Sequence, residues 1–109
     1  MYAMAHIDLG IDFGTSNTVI FARNKGIVLK EPTVLAVEKD TDRLIACGRE
    51  AYDMIGKNPP NIEVIQPVEK GVVSQFQYAR MLIRYFFKKV FPYRVIRPRI
   101  AISLPSYAT

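Results

Sequence analysis

The residues best equipped for chemistry lie together near the start of the chain, in Ile11-Asp12-Phe13-Gly14-Thr15-Ser16-Asn17-Thr18. An acid closes a strand-like run, and a turn of small residues follows it. Glycine at position 14 lets the backbone turn sharply and approach a ligand closely. The successive N–H groups of Thr15, Ser16 and Asn17 then point into one concavity, an arrangement that binds phosphate oxygens. Asp12 stands beside that cradle. Its carboxylate repels phosphate directly unless a magnesium ion, with its waters, lies between the two. Asp12 is thus the candidate for the metal side, and Gly14, Thr15, Ser16 and Asn17 for the phosphate side. The same residue types also make an ordinary hairpin turn, and spacing alone does not choose between the two readings.

Other reactive side chains carry less. Asp8 shares a strand face with Asp12, but no further group supports paired-carboxylate catalysis, and it reads as a hydrogen-bonded acid at a strand end. His6 is the only histidine and lies in the first strand, where a metal or catalytic role has no support. Cys47 is the only cysteine, so it has no partner for an internal disulfide or a zinc site and reads as a small strand-packing residue.

The elements that must hold the turn follow from periodicity. Ile7, Leu9, Ile11 and Phe13 alternate with polar or small residues, which predicts a central strand over 5–13. Thr18 to Ala22 is β-branched and aromatic. Asn24-Lys25-Gly26 supplies turn chemistry before Ile27 to Leu29, completing a hairpin. Pro32 marks a bulge or an edge, after which 33–37 and 44–47 read as further strands of a meander. Residues 48–70 form a small excursion: a short helix over 48–55 with Gly56 closing it, a breaker cluster at 57–61, and a short strand at 62–65. From Tyr78 to Phe91 apolar residues recur at helical spacing, with Arg80, Arg84 and Lys88 as a basic stripe. Pro92 stops that helix, and Arg99 to Leu104 reads as a buried strand parallel to the first. With one long helix available, one face of such a sheet is left with little to pack against.

Charge divides the chain. Residues 1–69 hold seven Lys/Arg against ten Asp/Glu, whereas residues 70–109 hold eight Lys/Arg and no acid. That asymmetry suggests an anionic partner for the second part, either membrane headgroups or nucleic acid. Val90, Phe91 and Tyr93, followed by Arg94, combine rings with arginines in a way that suits a membrane surface; Phe91 and Tyr93 equally suit the core at a helix end. No nucleic-acid-binding motif is present, so nucleic acid is not expected. There is no apolar run long enough to span a bilayer and no secretory signal pattern, so the chain reads as cytoplasmic.

Gly10-Ile-Asp-Phe-Gly-Thr-Ser-Asn-Thr18 resembles the first phosphate loop of the actin, Hsp70 and sugar-kinase superfamily. Lys25-Gly-Ile-Val-Leu-Lys-Glu-Pro-Thr-Val34, Gly48-Arg-Glu-Ala51, Met54-Ile-Gly56, Pro60-Asn-Ile62, Pro67, Gly71-Val-Val73, Phe76 and Pro98-Arg-Ile-Ala-Ile-Ser-Leu-Pro-Ser106 are similar to the MreB family of bacterial actins. The resemblance implies an α/β fold: an RNase H-like, actin-type ATPase lobe with a mixed sheet, hairpin strands, a long crossover helix and a returning parallel strand. Residues 1–109 would form the N-terminal part of that lobe, divided as 1–47, 48–70 and 71–109. It also implies ATP and Mg2+ as cofactors, with Asp12 on the metal side and residues 14–17 on the phosphates. In intact members it implies a filament of like subunits at the inner membrane that organises cell-wall synthesis together with shape proteins. The family's second phosphate loop, catalytic acid and adenosine pocket have no counterpart before Thr109, so no catalytic residue is assigned, and a nucleotide-free half-lobe serving as an assembly module is the alternative. Ser16 where Ala is common, Gln75 where an acid is expected and Tyr107 where Gly is usual depart from the family pattern.

Overall fold

The computed structural model describes residues 8–91 and 99–103. In chain order its elements are β1 (Leu9–Phe13), β2 (Asn17–Ala22), β3 (Gly26–Pro32), β4 (Leu35–Glu38), β5 (Leu44–Cys47), α1 (Arg49–Tyr52), β6 (Ile62–Ile65), β7 (Val68–Glu69), β8 (Val72–Val73), α2 (Phe76–Val90) and β9 (Ile100–Ser103). The first four-stranded sheet has the order β3-β2-β1-β9. β1 pairs antiparallel with β2 and parallel with β9, so Asp12 lies between Val19 and Ser103. The returning parallel strand expected from the crossover is therefore present, but it lies at the end of the sheet and is mostly exposed rather than buried, since β9 has a neighbouring strand on one side only.

Alternation sets the faces of this sheet. Leu9, Ile11, Phe13, Ile20 and Leu29 point inward, where Ala79, Leu82 and Phe86 of α2 meet them. The three helical residues follow each other at i, i+3 and i+7, one stripe of a helix. The opposite face carries Asp12 and leaves Phe21 44 % and Ile27 58 % exposed, as the shortage of covering helices predicts. α2 starts at Phe76, two residues before the apolar repeat suggests, and ends with Lys88 and Lys89 in the last turn, where cations suit the helix dipole.

The strands after Pro32 do not continue the first sheet. Proline has no N–H to offer a further strand, and beyond it the Thr33 N–H turns to the carbonyl of Ser16 (3.0 Å) and the Val34 N–H to that of Pro32 (2.9 Å). The chain thereby leaves for a second sheet, ordered β5-β4-β6. β4 is buried on both faces: Leu35 and Val37 join the main core, while Val34 and Ala36 pack with Ala46, Ala51 and Ile62 beneath α1. The short helix expected over 48–55 is regular only from Arg49 to Tyr52, and Gly56 closes the following turns in a left-handed conformation (φ 80°). One hairpin is absent from the sequence reading. Lys70 (φ 53°) and Gly71 (φ 75°) turn β7 into β8, two consecutive left-handed residues of the kind that suit a tight hairpin.

Candidate nucleotide-phosphate site

The turn between β1 and β2 is built from the sheet outward. Phe13 and Thr18 are the last paired residues, both buried, and residues 14–17 close the gap between the strands. The Gly14 N–H donates to the Asn17 carbonyl at 3.0 Å. A Cβ at position 14 would lie 3.0 Å from that same carbonyl. Gly14 is needed for space, since left-handed backbone occurs at other glycines of the chain and not here. Thr15, Ser16 and Asn17 are exposed. Among the described residues, none of the bonds that fix the turn uses the N–H of Thr15 or Ser16, which leaves both donors to a ligand.

Asp12 stands on the outer face of the sheet, next to the turn and exposed. Among the described residues it makes no ion pair, and no trio of His, Cys, Asp or Glu is gathered for a metal. A lone carboxylate beside free backbone donors fits magnesium, which keeps most of its waters and takes its remaining ligands from phosphate. It would be a poor site for a cation without phosphate.

Behind the turn lie two residues that the sequence reading passed over. Thr18 and Thr33 are fully buried, and their hydroxyl oxygens are 2.9 Å apart. The signal was a hydroxyl residue at an inward position, in phase with Ile20. Asp8 is held by the backbone N–H of Arg99 (2.9 Å), with the guanidinium at 3.6 Å. That backbone bond is the main reason its carboxyl titrates below the usual range, and it makes Asp8 a strand-end acid. Burial pushes the Cys47 thiol up to about 12, so it remains an unreactive core group. Val90 and Phe91 pack against the core, with the Phe87 and Phe91 rings 5.7 Å apart. Tyr93 and Arg94, the other two residues read as a membrane contact, lie outside the described residues, as does His6. No described helix is long and apolar enough to cross a membrane.

A carboxylate at the end of a central strand, a tight turn with outward donors, a second sheet inserted after β3 and a crossover back to a parallel β9 together define one kind of lobe. Residues 6–109 match the family described as MreB/Mbl protein. The chain belongs to the MreB/Mbl family. This MreB/Mbl chain is 40 % identical over 103 residues to the cell shape-determining protein Mbl of Bacillus cereus, covering 94 % of this chain and 31 % of that one. To the cell shape-determining protein MreB of Escherichia coli it is 37 % identical over 108 residues, with the same coverage. It thus spans about a third of the length of these relatives. The crystal structure of MreB 5 of Spiroplasma citri bound to AMPPNP superimposes with a TM-score of 0.78 at 29 % identity, covering 93 % of this chain and 31 % of that one. The MamK double helical filament superimposes at 0.72 with 23 % identity, over 93 % of this chain and 33 % of the other, a likeness of fold. The lobe is accordingly of actin type.

Proposed function

We propose that the β1–β2 turn is one wall of an ATP site in a filament-forming, cell-shape-determining MreB/Mbl protein. The observation that carries this reading is an exposed Asp12 beside the N–H groups of Thr15 and Ser16, all three without a partner among the described residues. The AMPPNP-bound relative of like fold supports the choice of a nucleoside triphosphate. In this reading Thr15, Ser16 and Asn17 hold phosphate oxygens through the backbone, Gly14 keeps the turn narrow, and Asp12 orients the water shell of magnesium. When bound, magnesium supplies the positive charge that lets carboxylate and phosphate share the site. Filament growth and attachment at the cytoplasmic face of the inner membrane, with cell-wall synthesis proteins as partners, extend the reading to the whole protein. The exposed basic stripe of Arg80, Arg84 and Lys88 is the feature that supports an anionic surface.

Calorimetric titration with ATP and magnesium tests the site. Binding that needs magnesium, and that both Asp12→Ala and Gly14→Val reduce at least tenfold, is the expected result. A folded chain whose binding ignores both substitutions would overturn it. A second reading, an assembly module without nucleotide, is favoured by a mostly apolar groove whose lining includes Phe76, Ile83, Phe87 and Ile102 together with Arg80 and Arg84. Magnesium-independent self-association without ATP binding would favour it.

A further inference from the structure

Residues 31–34 join three parts of the molecule within four residues of chain, and phosphate binding as described leaves them without a task. On one side Thr33 is fixed to the phosphate turn twice: its N–H donates to the Ser16 carbonyl (3.0 Å), and its hydroxyl lies 2.9 Å from that of Thr18. On the other side the Val34 carbonyl accepts the Gly48 N–H (2.8 Å), and Glu31 Oε1 accepts the Arg49 N–H at the start of α1 (2.8 Å). The second carboxylate oxygen, Oε2, accepts from Lys89 Nζ of α2 at 3.1 Å. Gly48 passes so close that a Cβ there would collide with the Glu31 carboxylate.

These contacts form a stiff joint for two reasons. The threonine hydroxyls are sealed from water, so breaking their bond leaves a buried polar group with no substitute partner. β4, which starts immediately after the joint, is buried on both faces, and a close-packed strand moves as a unit. A shift of the Ser16 carbonyl therefore reaches Thr33, β4 and the start of α1 without crossing solvent.

We propose that Thr33 and Glu31 are positioning residues that couple the phosphate turn to the β5-β4-β6 unit. A phosphate ligand drawing on the backbone of residues 15–17 would then tighten the start of α1, and a partner that displaces α1 would change affinity at the turn, since coupling between two sites is reciprocal. The ligand in this statement rests on the ATP reading above; the mechanical link does not.

Amide hydrogen exchange on the whole chain tests the link without any ligand. Thr33→Val is expected to speed exchange at the Gly48 and Arg49 N–H groups about tenfold while α2 is unchanged, and Thr33→Ser, which restores the hydroxyl, is expected to recover most of the protection. Lys89→Met removes the α2 anchor from an exposed position outside the core, so it remains informative if Thr33→Val does not fold. It is expected to speed exchange at Thr33 as well as at Arg49. Changes confined to the substituted residue's own side of the joint, or spread evenly over α2 and β1, would overturn the proposal. In a second arm, saturating ATP with magnesium is expected to slow exchange at Arg49 in the wild-type chain and not in Thr33→Val. Absence of calorimetric binding sinks the ATP reading, whereas the free-chain comparison still decides the coupling.

Discussion

The two larger sheets of this chain are stabilised by opposite means. The β3-β2-β1-β9 sheet buries large side chains, Phe13 and Ile20, against Leu82 and Phe86, on one face only. The β5-β4-β6 sheet buries both faces of its central strand, and the face beneath α1 is filled with small residues, Ala36, Ala46 and Ala51. A one-sided sheet can present polar chemistry on its free face, which is where Asp12 and the turn stand. A strand covered on both sides offers no such face, and its precision lies in close backbone approach, as at Gly48. The candidate site thus stands over a core of large side chains, whereas the small-residue core depends on single close approaches.

Removing a large side chain from the first sheet's core should have the biggest effect. Phe86→Ala is expected to lower stability by about 3–5 kcal/mol, as measured by urea unfolding. A loss under about 1 kcal/mol would mean that α2 does not anchor that sheet. In the second sheet a single methyl group should approach that figure. Gly48 adopts φ 65° and ψ −132°, a region essentially reserved for glycine, so Gly48→Ala is expected to cost about 3 kcal/mol, with the collision at Glu31 adding to the strain. The contrast between the sheets would fail if alanine were tolerated there.

At the boundary between the two, Thr18→Val should cost about 1–2 kcal/mol because it leaves the Thr33 hydroxyl buried and unpaired. The Thr18→Val, Thr33→Val double variant should recover much of that loss, and a double-mutant cycle with no coupling would show that the hydroxyl bond is not what holds the boundary. The smallest effect belongs to Lys89, which is half exposed. Its hydrogen bond to Glu31 raises its pKa above the ordinary lysine value, so its contribution is complete below that ordinary value and fades as pH rises through the raised one. Lys89→Met is expected to cost under about 1 kcal/mol, less at high salt. A larger loss would make the ion pair a main support of the boundary.

The parts of this structure with a regular period were legible in the sequence. The alternation of Leu9, Ile11 and Phe13 gave β1 its inward face, the repeat through Leu82 and Phe86 gave α2, and the strand after it returned parallel, as a strand–helix–strand crossover implies. The candidate turn was legible as residue types, Asp12 and Gly14 to Asn17, but those types suit an ordinary hairpin turn as well as a phosphate cradle, and the likeness to the family loop, not the spacing, favours the cradle. The departure of β4 from the first sheet was not, since Thr33 to Val37 has the same strand character whichever sheet receives it. Only the three-dimensional meeting of Thr33 with Thr18 and Ser16 decides that. The Lys70-Gly71 hairpin was missed because two-residue strands carry no period. Glu31 looked like any charged strand residue, and its three-way position depends on Arg49 and Lys89, far along the chain.

The ladder between β1 and β9 ties Asp8 to Arg99 across a separation of 91 residues. At the usual pace of synthesis that distance takes about 5–20 s to translate, and β1 waits throughout that interval with one hydrogen-bonding side unfilled. The strand that carries Asp12 therefore keeps one edge open until β9 has been made, so the order of manufacture leaves the candidate phosphate strand half-paired throughout that interval.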